Sequence, residues 1–202
     1  MDEKGGFVIV CLDMEGVLVP EIWIRVAQET RIKELRLTTR DIPDYDALMN
    51  RRLKILKNSG VKLLQIQKII AAMRPLPGAR KFLDTLRLKN QVVILSDTYY
   101  EFAMPLMRQL GYPTLLCNWL STDPKGFIKD YHLRQRDGKT QAVKALQKIG
   151  FKVSAAGDSY NDIGMLKAAD RGVLFNPPPS VTKQFPRFKV TRDYTALLKA
   201  LL

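Results

Sequence analysis

Three apolar segments constrain the fold of this 202-residue chain most strongly. The first, Phe7–Leu12, is continuously apolar, and Gln91–Leu95 and Val153–Ala156 show a similar pattern. Hydrophobicity that is continuous rather than alternating is typical of strands buried on both faces, as in a parallel sheet. Shorter strand candidates are Thr114–Cys117 and Gly172–Phe175. The chain therefore predicts a sheet that other elements cover on both sides.

Helical patterns separate these strand candidates. They cover Arg80–Lys89, Glu101–Leu110, Lys139–Ile149, Asp162–Ala169 and Tyr194–Leu202. Strands that alternate with helices predict an α/β fold with a doubly wound, mostly parallel Rossmann-like sheet. Within Asn118–Leu133, turn residues separate two strand-like flanks, and this pattern predicts a β-hairpin.

Residues 20–75 interrupt the alternation of strands and helices. Helical patterns cover Glu21–Arg31, Tyr45–Lys57 and Lys62–Met73 without an intervening strand, and Pro43 and the turn at residues 75–78 punctuate the segment. We predict that residues 20–75 form a small helical cap that determines substrate specificity. It is inserted into an α/β core of residues 1–19 and 76–202.

Composition excludes several classes of protein. Hydrophobic residues make up 46% of the chain and charged residues 26%, which is the balance of a globular domain rather than a disordered one. No apolar run reaches the roughly 18 residues of a membrane span, and the acidic start of the chain lacks the pattern of a signal peptide. Two cysteines, Cys11 and Cys117, cannot form a disulfide framework and indicate a reduced, cytoplasmic protein.

The chain is strongly basic, with 33 Lys and Arg against 20 Asp and Glu, a net charge of +13. Such a charge raises the question of nucleic-acid binding. However, the excess is spread over residues 20–75 and 76–202 without a dense basic run. This distribution favours a basic surface that attracts anionic substrates over a dedicated nucleic-acid patch.

Polar residues follow each of the three main strand candidates. Asp13 and Glu15 come after the first, Ser96-Asp97-Thr98 after the second, and Gly157-Asp158 with Asp162 after the third. Each group alone is explained equally well as a turn or a helix cap. All three together mark the carboxyl ends of parallel strands, where open α/β sheets bind their ligands.

At these residues the sequence resembles the haloacid dehalogenase-like phosphatase superfamily, over nearly the whole chain. Its four motifs are an acidic pair, a Ser or Thr, a Lys and a final acidic loop. They are matched here by Asp13 and Glu15, Ser96, Lys139, and Asp158 with Asp162. Within the superfamily, Asp13–Trp23, Ser96–Phe102 and Gly157–Leu166 look most like phosphoserine phosphatases, and above all like their bifunctional relatives, the phosphoserine phosphatase/homoserine phosphotransferases.

The resemblance implies a Mg²⁺-dependent enzyme that forms an aspartyl-phosphate. Asp13 would be the nucleophile and Glu15 the general acid and base. The side chains of Asp13 and Asp158 and the backbone carbonyl of Glu15 would ligate the metal, while Asp162 would position its waters. Ser96, Lys139 and the backbone N–H of Asp97 would hold the phosphoryl oxygens.

Some of these assignments leave alternatives open. Lys125, Lys129, Lys144 and Lys148 lie near Lys139 in the sequence, and Lys139 is preferred because it opens the helix before the third main strand. The lone His132 lies on the predicted hairpin without an acidic neighbour in sequence and favours a structural role.

The resemblance also implies how phosphoserine would be bound. Glu21 would pair with its amine and Arg52 with its carboxylate, and Thr98 and Asn161 would be further substrate-binding residues. Solvated charges on the cap would explain Glu21 and Arg52 as well, and Arg51 competes with Arg52 for its role.

Two departures from the family pattern bear on the acceptor of the phosphoryl group. Position 15 is Glu where most of the superfamily has Asp, and Asp97-Thr98 stands where phosphoserine phosphatases usually have two glycines. Both departures favour the bifunctional relatives. They leave open whether water or homoserine is the preferred acceptor.

The sequence thus predicts a cytoplasmic, Mg²⁺-dependent phosphoserine phosphatase with homoserine as a second acceptor. One alternative is a phosphatase for another small phosphomonoester. An alternative of a different class is a nucleic-acid-binding protein on an inactive phosphatase scaffold, which the intact set of acids disfavours. We expect a small-molecule substrate and no membrane partner, and the sequence leaves open whether the chain forms a homodimer.

Overall fold

The structure is a computed structural model that describes residues 8–38, 41–42 and 44–202. Phe7, at the start of the first predicted strand, and Pro43, between two predicted cap helices, lie outside the described residues. None of the described helices is long and apolar enough to cross a membrane.

The described residues form a seven-stranded sheet in the order β4-β3-β2-β1-β5-β6-β7. The strands are β1 (Val8–Leu12), β2 (Gln91–Tyr99), β3 (Thr114–Thr122), β4 (Ile128–His132), β5 (Lys152–Gly157), β6 (Arg171–Phe175) and β7 (Lys189–Thr191). Neighbouring strands pair in parallel except β3 and β4, which form the predicted antiparallel hairpin. The mostly parallel, doubly wound sheet is confirmed.

Side chains on both faces of the central strands are buried, which explains their continuous hydrophobicity. Val10 and Leu12 pack into one apolar cluster and Cys11 packs into the cluster on the opposite face. The helices that cover the two faces are α4 (Ala79–Arg87), α5 (Tyr100–Gln109), α6 (Gly138–Lys148), α7 (Ile163–Ala168), α8 (Pro179–Gln184) and α9 (Tyr194–Leu201). The predicted helices are confirmed within two residues at each end, whereas α8 and β7 are too short to show a period in the sequence.

The predicted end of the second strand, at Leu95, is wrong, because β2 continues to Tyr99. Its parallel pairing with β3 breaks after Leu95 and resumes where Tyr99 is opposite Asn118. The intervening residues 96–98 are therefore extended without this pairing. A bulge of this kind changes the direction of side chains, and here it lies at the carboxyl end of the strands, where the polar residues are.

The described part of residues 20–75 is mainly helical, as predicted. They contain α1 (Ile22–Thr30), a short 3₁₀ turn (Lys33–Arg36), α2 (Tyr45–Asn58) and α3 (Leu63–Ala71). Ile66 and Ile70 of α3 join the same buried cluster as Phe102 of α5. The division of the chain into a cap domain and a core domain stays a prediction.

Candidate active site

The carboxyl ends of β1 and β5 and the start of α6 bring one lysine between two acids. Lys139 Nζ donates to Asp13 Oδ1 at 2.8 Å and to Asp162 Oδ1 at 2.7 Å. All three side chains are buried. The other lysines near it in sequence, Lys125, Lys129, Lys144 and Lys148, are exposed. The preference for Lys139 thus agrees with its place beside Asp13.

Burial and mutual repulsion dominate the electrostatics of this group. Burial and the neighbouring Asp162 raise the pKa of Asp13 well above its usual value, although Lys139 opposes the shift. Burial alone would lower the pKa of Lys139, but Asp13 and Asp162 raise it well above its usual value. Lys139 is therefore a fixed positive charge beside the Asp13 carboxylate.

Asp13, Asp158 and Asp162 each offer a carboxylate oxygen, and these oxygens lie within 4.8 Å of one another. Burial, followed by the charge of Asp162, raises the pKa of Asp158 to about 7. Both oxygens of Asp162 already accept hydrogen bonds, Oδ1 from Lys139 and Oδ2 from the backbone N–H groups of Asp158 (2.9 Å) and Ser159 (3.0 Å). Hard carboxylate oxygens that repel one another fit a small divalent cation, with Asp13 and Asp158 better placed than Asp162 to ligate it.

Two glycines allow the acids to lie against the backbone. A Cβ added to Gly16 would lie 2.4 Å from the Asp158 Cγ, and φ at Gly16 is +78°. A Cβ added to Gly157 would lie 2.3 Å from the Asp162 Cγ. Any larger residue at either position would displace a carboxylate of the group.

Glu15 lies beside this group at the first turn after β1. Its Oε2 accepts a hydrogen bond from the backbone N–H of Ile22 at 2.8 Å. Burial, and then the nearby charge of Glu21, raise the pKa of Glu15 to about 8. A carboxyl group with such a pKa holds its proton at neutral pH and can act as a general acid.

The bulged end of β2 forms another wall of the site. Ser96 and Thr98 are buried, and Ser96 Oγ accepts a hydrogen bond from the Thr98 N–H at 3.3 Å. The Asp97 carboxylate accepts one from Asn161 Nδ2 at 3.0 Å. Asn118 Nδ2 donates to the Asp97 carbonyl at 3.0 Å. Asn118 was not predicted, because a single Asn inside a strand carries no motif.

Residues of the helical segment 20–75, which we call the cap, and of the carboxyl end of the sheet line a cavity of about 720 Å³. Its lining includes every predicted site residue except Asp162, which lies buried beneath it: Asp13, Glu15, Glu21, Arg52, Ser96, Asp97, Thr98, Lys139, Asp158 and Asn161. Arg51 is exposed and not part of the lining. His132 is not part of it either, and it stacks on Trp119 and contacts Ser121 Oγ at 3.1 Å.

Arg52 is buried in the cap, on α2. Its Nη2 donates to the Leu37 carbonyl at 2.7 Å, and its guanidinium lies 4.3 Å from the centre of the Trp23 ring. Its Nε is buried without a hydrogen-bond partner in the described part of the chain. Burial lowers the pKa of Arg52. A buried, incompletely satisfied guanidinium is suited to receive an anionic group of a ligand.

Three tyrosines line the junction of cap and core, and sequence reasoning missed them. The hydroxyls of Tyr45 and Tyr99 are 2.7 Å apart, and Tyr131 donates a hydrogen bond to Asp46. These residues come from α2, β2 and β4, so no local spacing connects them. Tyr45 and Tyr99 line the same cavity as Arg52 and interact with it electrostatically.

Comparisons of the sequence with known proteins agree with this geometry. The family model for haloacid dehalogenase-like hydrolases matches residues 8–170. A phosphoserine phosphatase of Pseudomonas syringae pv. tomato is 54% identical over 194 residues, which cover 96% of this chain and 82% of that protein. The phosphoserine phosphatase ThrH of Pseudomonas aeruginosa is also 54% identical, over 96% of this chain and 95% of that protein.

Solved structures share the fold. A phospho-aspartyl intermediate analogue of phosphoserine phosphatase superposes with a TM-score of 0.80 at 19% identity, over 98% of this chain and all of that one. A substrate-bound phosphoserine phosphatase complex superposes with a TM-score of 0.76 at 19% identity, over 96% of this chain and 98% of that one.

Proposed function

The chain belongs to the haloacid dehalogenase-like hydrolases, and from this premise we propose that it is a Mg²⁺-dependent phosphoserine phosphatase acting through an aspartyl-phosphate on Asp13. The two Pseudomonas relatives that are 54% identical over nearly the whole chain are phosphoserine phosphatases. The observation that carries the proposal is the Lys139 ammonium held between Asp13 and Asp162 at the end of β1.

Asp13 is oriented for attack on phosphorus. Its Oδ1 accepts hydrogen bonds from the Met14 N–H at 2.7 Å and from Lys139, which leaves its other oxygen to attack. The new bond joins that oxygen to phosphorus while the ester bond to the leaving oxygen breaks. An ammonium has three N–H donors, and Lys139 uses two of them on acids. Its third donor and the Ser96 hydroxyl would hold phosphoryl oxygens and reduce their repulsion of Asp13.

The acids at this end of the sheet fit Mg²⁺. Asp13, Asp158 and the Glu15 backbone carbonyl would hold the ion, which when bound neutralises charge on the phosphoryl group. Asp162 would act on the loop instead, because its oxygens bind Lys139 and the N–H groups of Asp158 and Ser159.

Glu15 would transfer protons in both halves of the reaction. With its pKa raised to about 8 it carries a proton that it can give to the leaving alkoxide. The resulting carboxylate would then take a proton from the water that attacks the aspartyl-phosphate. This second step releases orthophosphate, restores Asp13 and returns the proton to Glu15.

The cap would recognise the amino-acid part of phosphoserine. The buried Arg52 would bind the carboxylate, because its Nε lacks a partner in the described part of the chain. Glu21, which lines the same cavity, would bind the ammonium, and Thr98 and Asn161 would contact the substrate beside the phosphate. Free Cys11 and Cys117 agree with a cytoplasmic location.

Homoserine is the second acceptor that we propose. It carries the same ammonium and carboxylate as serine, so Glu21 and Arg52 could hold it after serine leaves. A bound alcohol has a high effective concentration against water. Glu15 has one methylene more than Asp, and this longer arm suits a proton transfer from an alcohol that is bulkier than water.

A substrate screen tests the proposed function. The wild type and Asp13→Asn are assayed for orthophosphate release in MgCl₂ on phosphoserine, phosphoethanolamine, phosphoglycolate and p-nitrophenyl phosphate. We expect the highest kcat/KM on phosphoserine and no turnover by the variant. A higher kcat/KM on phosphoglycolate would support a different small phosphomonoester. Salt-sensitive nucleic-acid binding without any phosphatase activity would support the inactive scaffold.

A further inference from the structure

The side chain of Asp97 is an acidic group of the cavity that has no part in the proposed reaction. The Asp97 carboxylate lines the cavity beside Ser96 and is 46% exposed, unlike the buried Asp13 and Asp162. We propose that Asp97 is a specificity-determining residue whose negative charge weakens the binding of orthophosphate and of phosphate esters without a cationic group. This inference rests on the proposed function, because it concerns how the same site selects its substrate.

The position of the Asp97 carboxylate places its charge beside the phosphoryl site. Its Oδ2 lies 3.7 Å from Lys139 Nζ, and the same Nζ lies 2.8 Å from Asp13 Oδ1. A distance of 3.7 Å is too long for a hydrogen bond, so the third N–H of Lys139 is not committed to Asp97. A phosphoryl group held by that N–H would therefore lie within a few ångströms of the Asp97 carboxylate.

Asp97 is also held in this position. Asn161 Nδ2 donates to its Oδ2 at 3.0 Å and Asn118 Nδ2 donates to its backbone carbonyl at 3.0 Å. Its charge reaches both walls of the cavity, since it contributes to the raised pKa of Lys139 and to that of Tyr45 on the cap. The carboxylate thus lines the cavity in a defined position and is not simply solvated.

A fixed negative charge at this position affects the binding of different ligands to different extents. Orthophosphate and an aryl phosphate bring only negative charge and are repelled. Phosphoserine brings an ammonium as well, and this positive charge offsets the repulsion. The charge thus raises the selectivity for ammonium-bearing esters and promotes the release of orthophosphate after each turnover.

The test removes the charge and keeps the shape. Asp97→Asn retains an oxygen that accepts from Asn161, and Asp84→Asn is the control. Asp84 is 49% exposed, lies on α4 outside the cavity and pairs with Arg80. Calorimetric titration with orthophosphate in MgCl₂ should give about tenfold tighter binding for Asp97→Asn and no change for Asp84→Asn. The ratio of kcat/KM on phosphoserine to that on p-nitrophenyl phosphate should fall by about tenfold, and both effects should shrink in high salt.

Two results would overturn the proposal. The first is an orthophosphate affinity of Asp97→Asn within twofold of the wild type at low salt. The second is that Asn161→Ala, which keeps the Asp97 charge, tightens orthophosphate binding as much as Asp97→Asn does. If the wild type does not hydrolyse phosphoserine, the proposed function fails, but the orthophosphate titration still decides whether the Asp97 charge opposes anion binding.

Discussion

The core wall and the cap wall of the cavity differ in how their charges are satisfied. On the core side, Lys139 bridges Asp13 and Asp162, and Asp162 also accepts two backbone hydrogen bonds. On the cap side, Arg52 has a buried Nε without a partner in the described part of the chain. Glu21 lines the same wall. On the core wall Lys139 pairs with acids of the protein itself, whereas the cap wall lacks partners that a ligand can supply.

This difference separates the groups that would carry out the reaction from the groups that would select the substrate. Groups that the protein itself orients need no reorganisation when the substrate arrives, which is how electrostatic catalysis operates. Groups left unsatisfied gain most from a substrate that supplies the missing partner. Changes on the core side should therefore affect every phosphate ester, and changes on the cap side should affect only esters with the matching groups.

The replacement Asp13→Asn should have the largest effect. An amide cannot form the aspartyl-phosphate, so kcat should fall by about 10⁴-fold or more on phosphoserine and on p-nitrophenyl phosphate alike. The melting temperature should not fall, because the change removes a carboxylate whose pKa burial has raised. Orthophosphate release and thermal melting measure the two. Turnover of either ester by the pure variant would refute the assignment.

Lys139→Met should come next. It leaves Asp13 and Asp162 without their shared cation, and kcat should fall by about 10³-fold on both esters. The matched control is Lys144→Met, since Lys144 lies exposed on the same helix. Steady-state kinetics on both esters give the comparison. A loss confined to phosphoserine would show that Lys139 selects the substrate and does not take part in the reaction itself.

Arg52→Ala should lower kcat/KM much more on phosphoserine than on p-nitrophenyl phosphate. The loss of kcat/KM on phosphoserine should be about 2–5 kcal/mol, because a buried charge pair with the carboxylate disappears. p-Nitrophenyl phosphate has no carboxylate, so its turnover should change much less. Arg52→Lys keeps the positive charge but lacks the planar guanidinium that can form two parallel hydrogen bonds to a carboxylate. This variant should therefore recover only part of the loss. Equal losses on both esters would mean that Arg52 supports the structure of the cap.

The pH dependence of the free energy of unfolding should reveal the cost of burying charged carboxylates on the core side. In the metal-free protein the pKa of Glu15 is about 8 and that of Asp158 about 7, both above their values in an unfolded chain. The folded state therefore holds protons that the unfolded state has lost. This stabilisation is complete below about pH 4 and disappears as the pH rises to about 8.

Urea unfolding in EDTA between pH 5 and pH 8 measures this effect. The free energy of unfolding should fall by an amount on the order of 5 kcal/mol, and MgCl₂ should restore it at pH 8. A flat profile in EDTA would show that the acids are not strained without a cation.

Glu15→Asp should have the smallest effect. The shorter arm should shift product from phosphohomoserine toward orthophosphate by a few-fold when phosphoserine and homoserine are both present. Phosphorus NMR of the products gives the ratio. Orthophosphate as the sole product of the wild type at saturating homoserine would remove the second acceptor altogether.

The strands and the acids at their carboxyl ends were predictable because their signals are local. The run ending at Leu12 is continuously apolar and the run ending at Ala156 is interrupted only by Ser154, and Asp13 and Asp158 follow these runs within two residues. The end of β2 was not predictable, because the bulge before Tyr99 depends on its pairing with β3. The contact between Tyr45 and Tyr99 joins residues of two distant segments, and no hydrophobic periodicity within either segment predicts it.

The contact of Tyr194 with the first loop has a consequence for the synthesis of the chain. Its ring stacks on Phe82 and Phe175, and its hydroxyl donates to the Val17 carbonyl at 2.7 Å, across 177 positions of sequence. A ribosome that builds the chain from its amino end has already made every proposed catalytic residue before it adds Tyr194. The loop that carries Glu15 therefore acquires this support only when translation reaches the last helix.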